Sequence, residues 1–179
     1  MLDAARELTI AHGFSGLRLE HVAARAGVGK ATIYRRWPSK QALALDLLLE
    51  LAMPHIAVDD VGDTAAEVLA CVTNAIGALT TTPFGPVIRA LLSEIAVDPS
   101  LGDPFRETVV RARRLEVAAV VRRGIERGDL APAADSELAA DLLIGPVYFR
   151  LVFGGALDEA FAGEVASVFA RAYAPPELG

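Results

Sequence analysis

Apolar residues in this chain recur every three or four positions nearly from end to end, and no stretch alternates apolar with polar for long. A period near 3.6 buries one face of a helix, whereas a period of two would bury one face of a strand. The pattern confines the chain to an all-α fold of about nine helices, and the helix breakers divide it. Met1 to His12 carries Leu2, Ala5, Leu8 and Ile10 on one face and stops at Gly13. Short helices are expected near 19–26 and 30–37, parted by Gly27. Ser39 is placed to cap a fourth helix that reaches Met53, before Pro54. Thr64 with Glu67 reads as a capping box for a helix to about Leu79, and Pro83 to Ala96 as another. Asp103-Pro104 reads as N-cap and first-turn proline of a long helix ending near Gly128. Asp135 opens a helix that Gly145-Pro146 should kink and Gly154-Gly155 should stop. Asp158 to about Tyr173 is the last, and the Pro175-Pro176 tail is expected to fray.

The chain is 179 residues long, enough for one core or for a small head fused to a larger body. Residues 54–62, with Pro54, Asp59, Asp60 and Gly62, mark the clearest boundary. The expected division is a head at 1–46 and a body at 47–179. At 53% hydrophobic residues the chain is too apolar for disorder. The most apolar run, Leu142 to Leu157, is interrupted by Arg150 and by Gly-Pro and Gly-Gly pairs, so no membrane span is expected. The single Cys71 cannot form an internal disulfide, which makes a reducing cytoplasm the default.

Charge is unevenly spread. The net charge of −6 argues against indiscriminate coating of nucleic acid. Residues 1–52 nevertheless carry +2 and the remainder −8, and both lysines, Lys30 and Lys40, lie in the first part. One end is suited to meet an anion and the other is not.

The segment Leu19 to Lys40 has helix-turn-helix spacing. With Leu19 as the first position, Ala23 falls fifth, Gly27 ninth and Ile33 fifteenth. The fifth position lies where two helices cross and needs a small side chain. The ninth turns the chain, which glycine does without strain. The fifteenth buries a β-branched residue against the first helix. On the second helix Ile33 and Trp37 define the inward face, and Ala31 and Arg35 point the other way, flanked by Thr32 and Tyr34. Arg35 can fork onto guanine O6 and N7, while Thr32 and Tyr34 suit phosphate oxygens or a thymine methyl. Ala31 permits close approach to the groove floor. Lys30 can swing outward, and Lys40 sits at a helix start that already attracts phosphate. Taken alone, two short helices with Ala and Gly at a turn also fit helical proteins that never touch DNA, with Arg35-Arg36 as a solvated face.

The run GVGKATIYRRWPSKQALALDLL resembles the signature of the tetracycline-repressor (TetR) family, and AARELTIAHGFSGLRLEHVAARA resembles that family's first two helices. RRGIERGDL and LLIGPVYFRLVFGG are similar to one C-terminal branch of it. The resemblance implies a ligand-responsive transcriptional regulator, usually a repressor, and no cofactor. It implies base-facing Lys30, Ala31, Tyr34 and Arg35, and phosphate-facing Thr32, Tyr34 and Lys40. Members commonly start the second helix with Thr or Ser as cap and phosphate contact. Here Leu17-Arg18 stands there, and Arg18 is expected to replace that contact by charge. A basic extension before the first helix is also usual. This sequence begins almost at that helix, so either minor-groove contacts are absent or the recorded start is late.

The resemblance further implies a homodimer on a pseudo-palindromic double-stranded operator. Leu138, Leu142 and Leu151, with Phe161, Val165, Val168 and Phe169, are the expected interface, with Val147 beside them. It also implies a pocket for a small-molecule effector, with Phe84, Ile88, Leu92, Phe105, Tyr148, Phe149 and Arg150 as candidate lining. Arg150 sits in an apolar helix and needs a partner or solvent; an acidic ligand is one candidate, with Asp141 or a carboxylate across the dimer favoured over it. Two other classes compete. A helical adaptor would leave Lys30, Arg35 and Lys40 without a role. An enzyme finds no support, because His12, His21 and His55 are scattered without metal-ligand spacing and no phosphate-binding glycine loop exists.

Overall fold

The computed structural model describes residues 1–175, so the end of the Pro175-Pro176 tail lies outside the described residues. Among them there are nine helices and no strand. Helix α1 is Leu2–Gly16, interrupted at Gly13, whose φ is 69°. Helices α2 (Leu19–Arg25), α3 (Lys30–Arg36) and α4 (Lys40–Ala52) follow. After a short turn at Met53–His55 come α5 (Thr64–Thr81) and α6 (Phe84–Val97). Helix α7 covers 102–127 and contains one wide, π-type turn at Arg106–Val110. Helices α8 (Ser136–Phe153) and α9 (Glu159–Ala172) complete the chain.

Side-chain caps set four of the nine helix starts among the described residues. Ser39 accepts from the Ala42 N–H, Asp135 from Glu137 and Leu138, and Asp158 from Phe161. Two expectations are corrected. Asp63, not Thr64, caps α5 by accepting from Ala66. Glu67 is then released from capping and lies fully buried. Helix α7 begins at Gly102, so Asp103 is inside its first turn and pairs with Arg106 instead of capping. Helix α8 runs unbroken through Gly145-Pro146.

Helix α5 is the spine of the body and packs against α6, α7, α8 and α9. Gly124 allows its crossing with α7, because a Cβ there would stand 2.7 Å from both Leu130 Cδ1 and Thr64 Cγ2. By length and hydropathy α5 could cross a membrane, yet half of it is buried in the bundle. Glu67 within it is bound by two arginines. Arg123 Nη2 lies 2.7 Å from its Oε2, and Arg127 Nη2 lies 2.9 Å from its Oε1. The head joins the body through α4 and α1. Both pack on α6, and α4 also meets the wide turn of α7. Gln41 Nε2 donates to Glu94 across the α4–α6 contact at 2.8 Å.

Segment 55–61, between the two parts, is pinned to the body by side chains. Arg113 Nη1 donates to the His55 carbonyl at 3.0 Å. Glu116 accepts the Val58 N–H at 2.8 Å, Asn74 donates to the Ala57 carbonyl, and Arg123 donates to the Val58 carbonyl. Arg127 pairs with Asp60, and Glu67 also accepts the Val61 N–H.

Candidate functional site

The head is organised around the α2–α3 turn. Leu19, Val22, Ala23, Ile33 and Trp37 are all buried, and large apolar side chains of this kind each contribute about 1.5–3 kcal/mol on burial. Gly27 adopts φ 67°, which lets the Val28 N–H return to the Ala23 carbonyl at 2.9 Å. Trp37 Nε1 donates to Asp46 on α4 at 2.9 Å and fixes the end of α3.

With Ile33 and Trp37 turned inward, α3 presents Lys30, Ala31, Tyr34 and Arg35 to solvent, with Thr32 half-buried beside them. Among the described residues, neither Lys30, Arg35 nor the exposed Arg18 pairs with a carboxylate within 4.0 Å. Their charge is available to an external anion. Arg18 precedes α2 in extended conformation and makes no side-chain cap, so the usual cap is absent there. Arg25 and Arg36, by contrast, are drawn into pairs with Glu7 and Asp46.

Two residues are less free than their sequence positions suggest. The Tyr34 hydroxyl donates to Glu20 Oε1 across the two helices at 2.6 Å. That bond lowers the Glu20 pKa and raises the Tyr34 pKa. Lys40 Nζ sits 4.2 Å from the centroid of the Phe14 ring and 3.5 Å from the Ser15 carbonyl. It bridges α4 to the end of α1 while remaining half-exposed. Sequence reasoning missed Glu20, and its spacing of fourteen residues from Tyr34 is a tertiary signal with no local pattern.

A cavity of about 270 Å³ opens in the body between α6, α7 and α8. Leu92, Phe105, Val109, Val110, Ala140, Ile144 and Gly145 make its apolar wall, and Arg113, Arg114, Asp141 and Tyr148 its polar part. Burial pushes the Tyr148 phenol up to about 12 and lowers the Arg113 pKa from its ordinary value. Leu92, Phe105 and Tyr148 are thus among the lining. The other candidates do not line this cavity. Phe84 and Ile88 are packed solid in the core, away from the cavity. Phe149 is 64% exposed on the outer side of α8, against Phe153. Arg150 turns away from the cavity to donate to the Ala156 carbonyl at 2.6 Å and to stack on Phe161 at 3.5 Å. Its expected partner Asp141 is instead held by Arg114, at 2.9 and 3.0 Å.

The outer faces of α8 and α9 carry Leu138, Leu142, Phe149, Val152, Phe153 and Val168, all exposed, with Val165 half-buried. Leu151, Phe161 and Phe169 are corrected to intrachain core, as is Val147, because each faces its own chain and is buried there.

This architecture has clear relatives. Residues 1–47 match the family described as bacterial regulatory proteins, tetR family, and residues 58–169 match the tetracyclin repressor-like C-terminal domain. The HTH-type transcriptional regulator YdeS of Bacillus subtilis (strain 168) is 33% identical over 155 residues, covering 87% of this chain and 78% of the relative. The DNA-binding transcriptional repressor TetR of Mycobacteroides abscessus is 30% identical over 171 residues, covering 92% and 87%. The crystal structure of the TetR family transcription regulator SCO0332 superposes with a TM-score of 0.86 at 32% identity, over 97% of this chain and 96% of that one. The chain belongs to the TetR family. It is a helix-turn-helix transcriptional regulator and not an enzyme.

Proposed function

We propose that this regulator is a cytoplasmic homodimeric repressor that binds a pseudo-palindromic operator and leaves it when a small molecule fills the body cavity. In this reading residues 1–46 form the reading head and 47–179 the sensing and dimerisation body. Lys30, Ala31, Tyr34 and Arg35 meet base edges. Thr32, Lys40 and Arg18 meet phosphates, and Tyr34 does so only after exchanging its bond to Glu20. The observation that carries it is the exposed, unpaired cationic face of α3 above a fully buried Ile33–Trp37 face. The exposed apolar stripe of α8 and α9 favours a second copy as partner, since an uncovered patch of this kind is unusual on a monomer. A two-fold dimer would set its two α3 helices about one DNA turn apart, roughly 34–36 Å. The relative from Mycobacteroides abscessus, named as a repressor, favours repression over activation.

Selection of bound duplexes from a random pool tests the proposal. Enrichment of a sequence with two-fold symmetry is expected, and retention of random sequence would overturn it. On the selected site Arg35→Ala should cost about 1–3 kcal/mol and relax preference at one base step. Equal weakening on every sequence would remove Arg35 from base reading.

A further inference from the structure

Two guanidiniums, Arg113 and Arg114, line the cavity beside one carboxylate, Asp141. Arg114 meets Asp141 in a two-oxygen contact and has Glu137 at 3.8 Å on its other side. Arg113 has no such partner among the described residues. Its Nη1 reaches the neutral His55 carbonyl, and Glu116, whose charge favours it from beyond ion-pair distance, accepts the Val58 N–H. A second orphan stands beside it, since the buried Arg114 Nε has no hydrogen-bond partner. Burial of a guanidinium without a counter-charge is costly, and donors left unpaired in an apolar wall carry a desolvation penalty. An acceptor bearing one negative charge would meet the deficit at Arg113. The rest of the wall is aliphatic or aromatic, and the volume lies just below the usual span of small-molecule sites, about 300–1,000 Å³.

We propose that the effector is a small lipophilic anion, whose carboxylate or phenolate head binds Arg113 and whose apolar body packs against Leu92, Phe105 and Ile144. This rests on the reading of the cavity as the effector site. The head group would compete for the guanidinium that holds the His55 carbonyl, so occupancy is felt directly beyond the end of α4. The wide turn of α7, which supplies Val109 and Val110 to the cavity, packs on α4 as well.

Isothermal titration of the full chain at neutral pH with 3-phenylpropanoate, 3-phenylpropanol and 3-phenylpropylamine tests the charge. The three probes share one body and differ in the head. The carboxylate is expected to bind about tenfold or more tighter than the alcohol, with the amine weakest. Arg113→Met should abolish that preference, so that carboxylate and alcohol bind alike, and Arg113→Lys should keep part of it. Leu92→Trp should exclude all three. Equal binding of carboxylate and alcohol in the wild type overturns the anion and leaves the cavity reading standing. A preference that survives Arg113→Met overturns the role of Arg113. Absence of binding by every probe, or binding that Leu92→Trp does not touch, overturns the cavity reading itself.

Discussion

Replacing Glu67 by alanine would remove the only carboxylate that Arg123 holds among the described residues, together with the acceptor of the Val61 N–H. Glu67 is 0% exposed, while the Arg123 and Arg127 side chains keep 17% and 22% of their surface. Removing one partner of a buried ion pair costs about 3–5 kcal/mol, because the remaining charge stays in a poorly solvated place. Arg127 retains Asp60 and Thr64, and water can reach Arg123, so the lower end of that range is expected. For a chain of this size each kcal/mol lowers the melting temperature by roughly 2–4 °C, so a loss near 3 kcal/mol should lower it by about 6–12 °C. Urea unfolding and thermal melting at one fixed protomer concentration measure it, since dimer dissociation would otherwise move the midpoint. The double variant Glu67→Ala, Arg123→Ala should recover part of the loss, with a coupling of about 0.5–3 kcal/mol. The 55–61 segment should also become a site of limited proteolysis, because Arg123 and Glu67 both bind its backbone. A change within about 0.5 kcal/mol, as for an ordinary surface substitution, would refute the claim that this cluster clamps the head-to-body segment.

Lys40→Ala should weaken operator binding uniformly and reduce the salt slope by about 0.9, one phosphate contact. An unchanged slope would leave Lys40 only as the bridge to Phe14. The Tyr34–Glu20 bond has a defined pH window. Glu20 has a lowered pKa, so its contribution is lost as pH falls through that value. Tyr34 has a raised pKa, so its contribution is lost as pH rises through it. Glu20→Gln should return the Tyr34 phenol to its ordinary titration range by ultraviolet absorbance, and a Tyr34 titration that stays put would rule the bond out. Leu142→Glu and Val168→Glu should yield folded monomers by light scattering, whereas Phe169→Ala should destabilise the fold by about 3–5 kcal/mol. A folded Val168→Glu dimer would take that face out of the interface.

The head was readable because its constraints are local. Ala23, Gly27 and Ile33 each answer a steric demand within a few residues, and Ser39, Asp135 and Asp158 cap the helices they immediately precede. Tertiary competition defeated local rules elsewhere. Glu67 stands where a capping-box glutamate would, but arginines 56 and 60 residues away draw it into the core and leave capping to Asp63. Helix α8 is apolar on two faces. Leu143, Ile144, Val147 and Leu151 meet the chain's own core, while Leu138, Leu142, Phe149 and Phe153 meet solvent. Hydropathy alone does not separate an intrachain face from an outward one, so neither the burial of Leu151 nor the exposure of Phe149 follows from the sequence. Arg113 was invisible among its neighbours Arg111 and Arg114, since only packing singles out the one without a carboxylate.

An effector changes DNA affinity only by as much as it prefers one arrangement of the chain over another. A tenfold loss of operator affinity requires about 1.4 kcal/mol of such preference. A hydrogen bond from a charged donor is worth about 1.5–3 kcal/mol, so the single bond from Arg113 to the His55 carbonyl is of sufficient size. It also lies in the right place. His55 ends the turn that follows α4, and α4 carries Asp46, which holds Trp37 at the end of the reading helix. The chain of contacts from the cavity to α3 is therefore Arg113, His55, α4, Asp46 and Trp37. Each step is a hydrogen bond or a continuous helix. Arg113→Met, which lacks that bond, then carries a second expected outcome: operator binding already weakened about tenfold without any effector, and no longer answering the carboxylate probe. Full release of that variant by 3-phenylpropanoate would place the coupling in the α7 wide turn instead of the guanidinium.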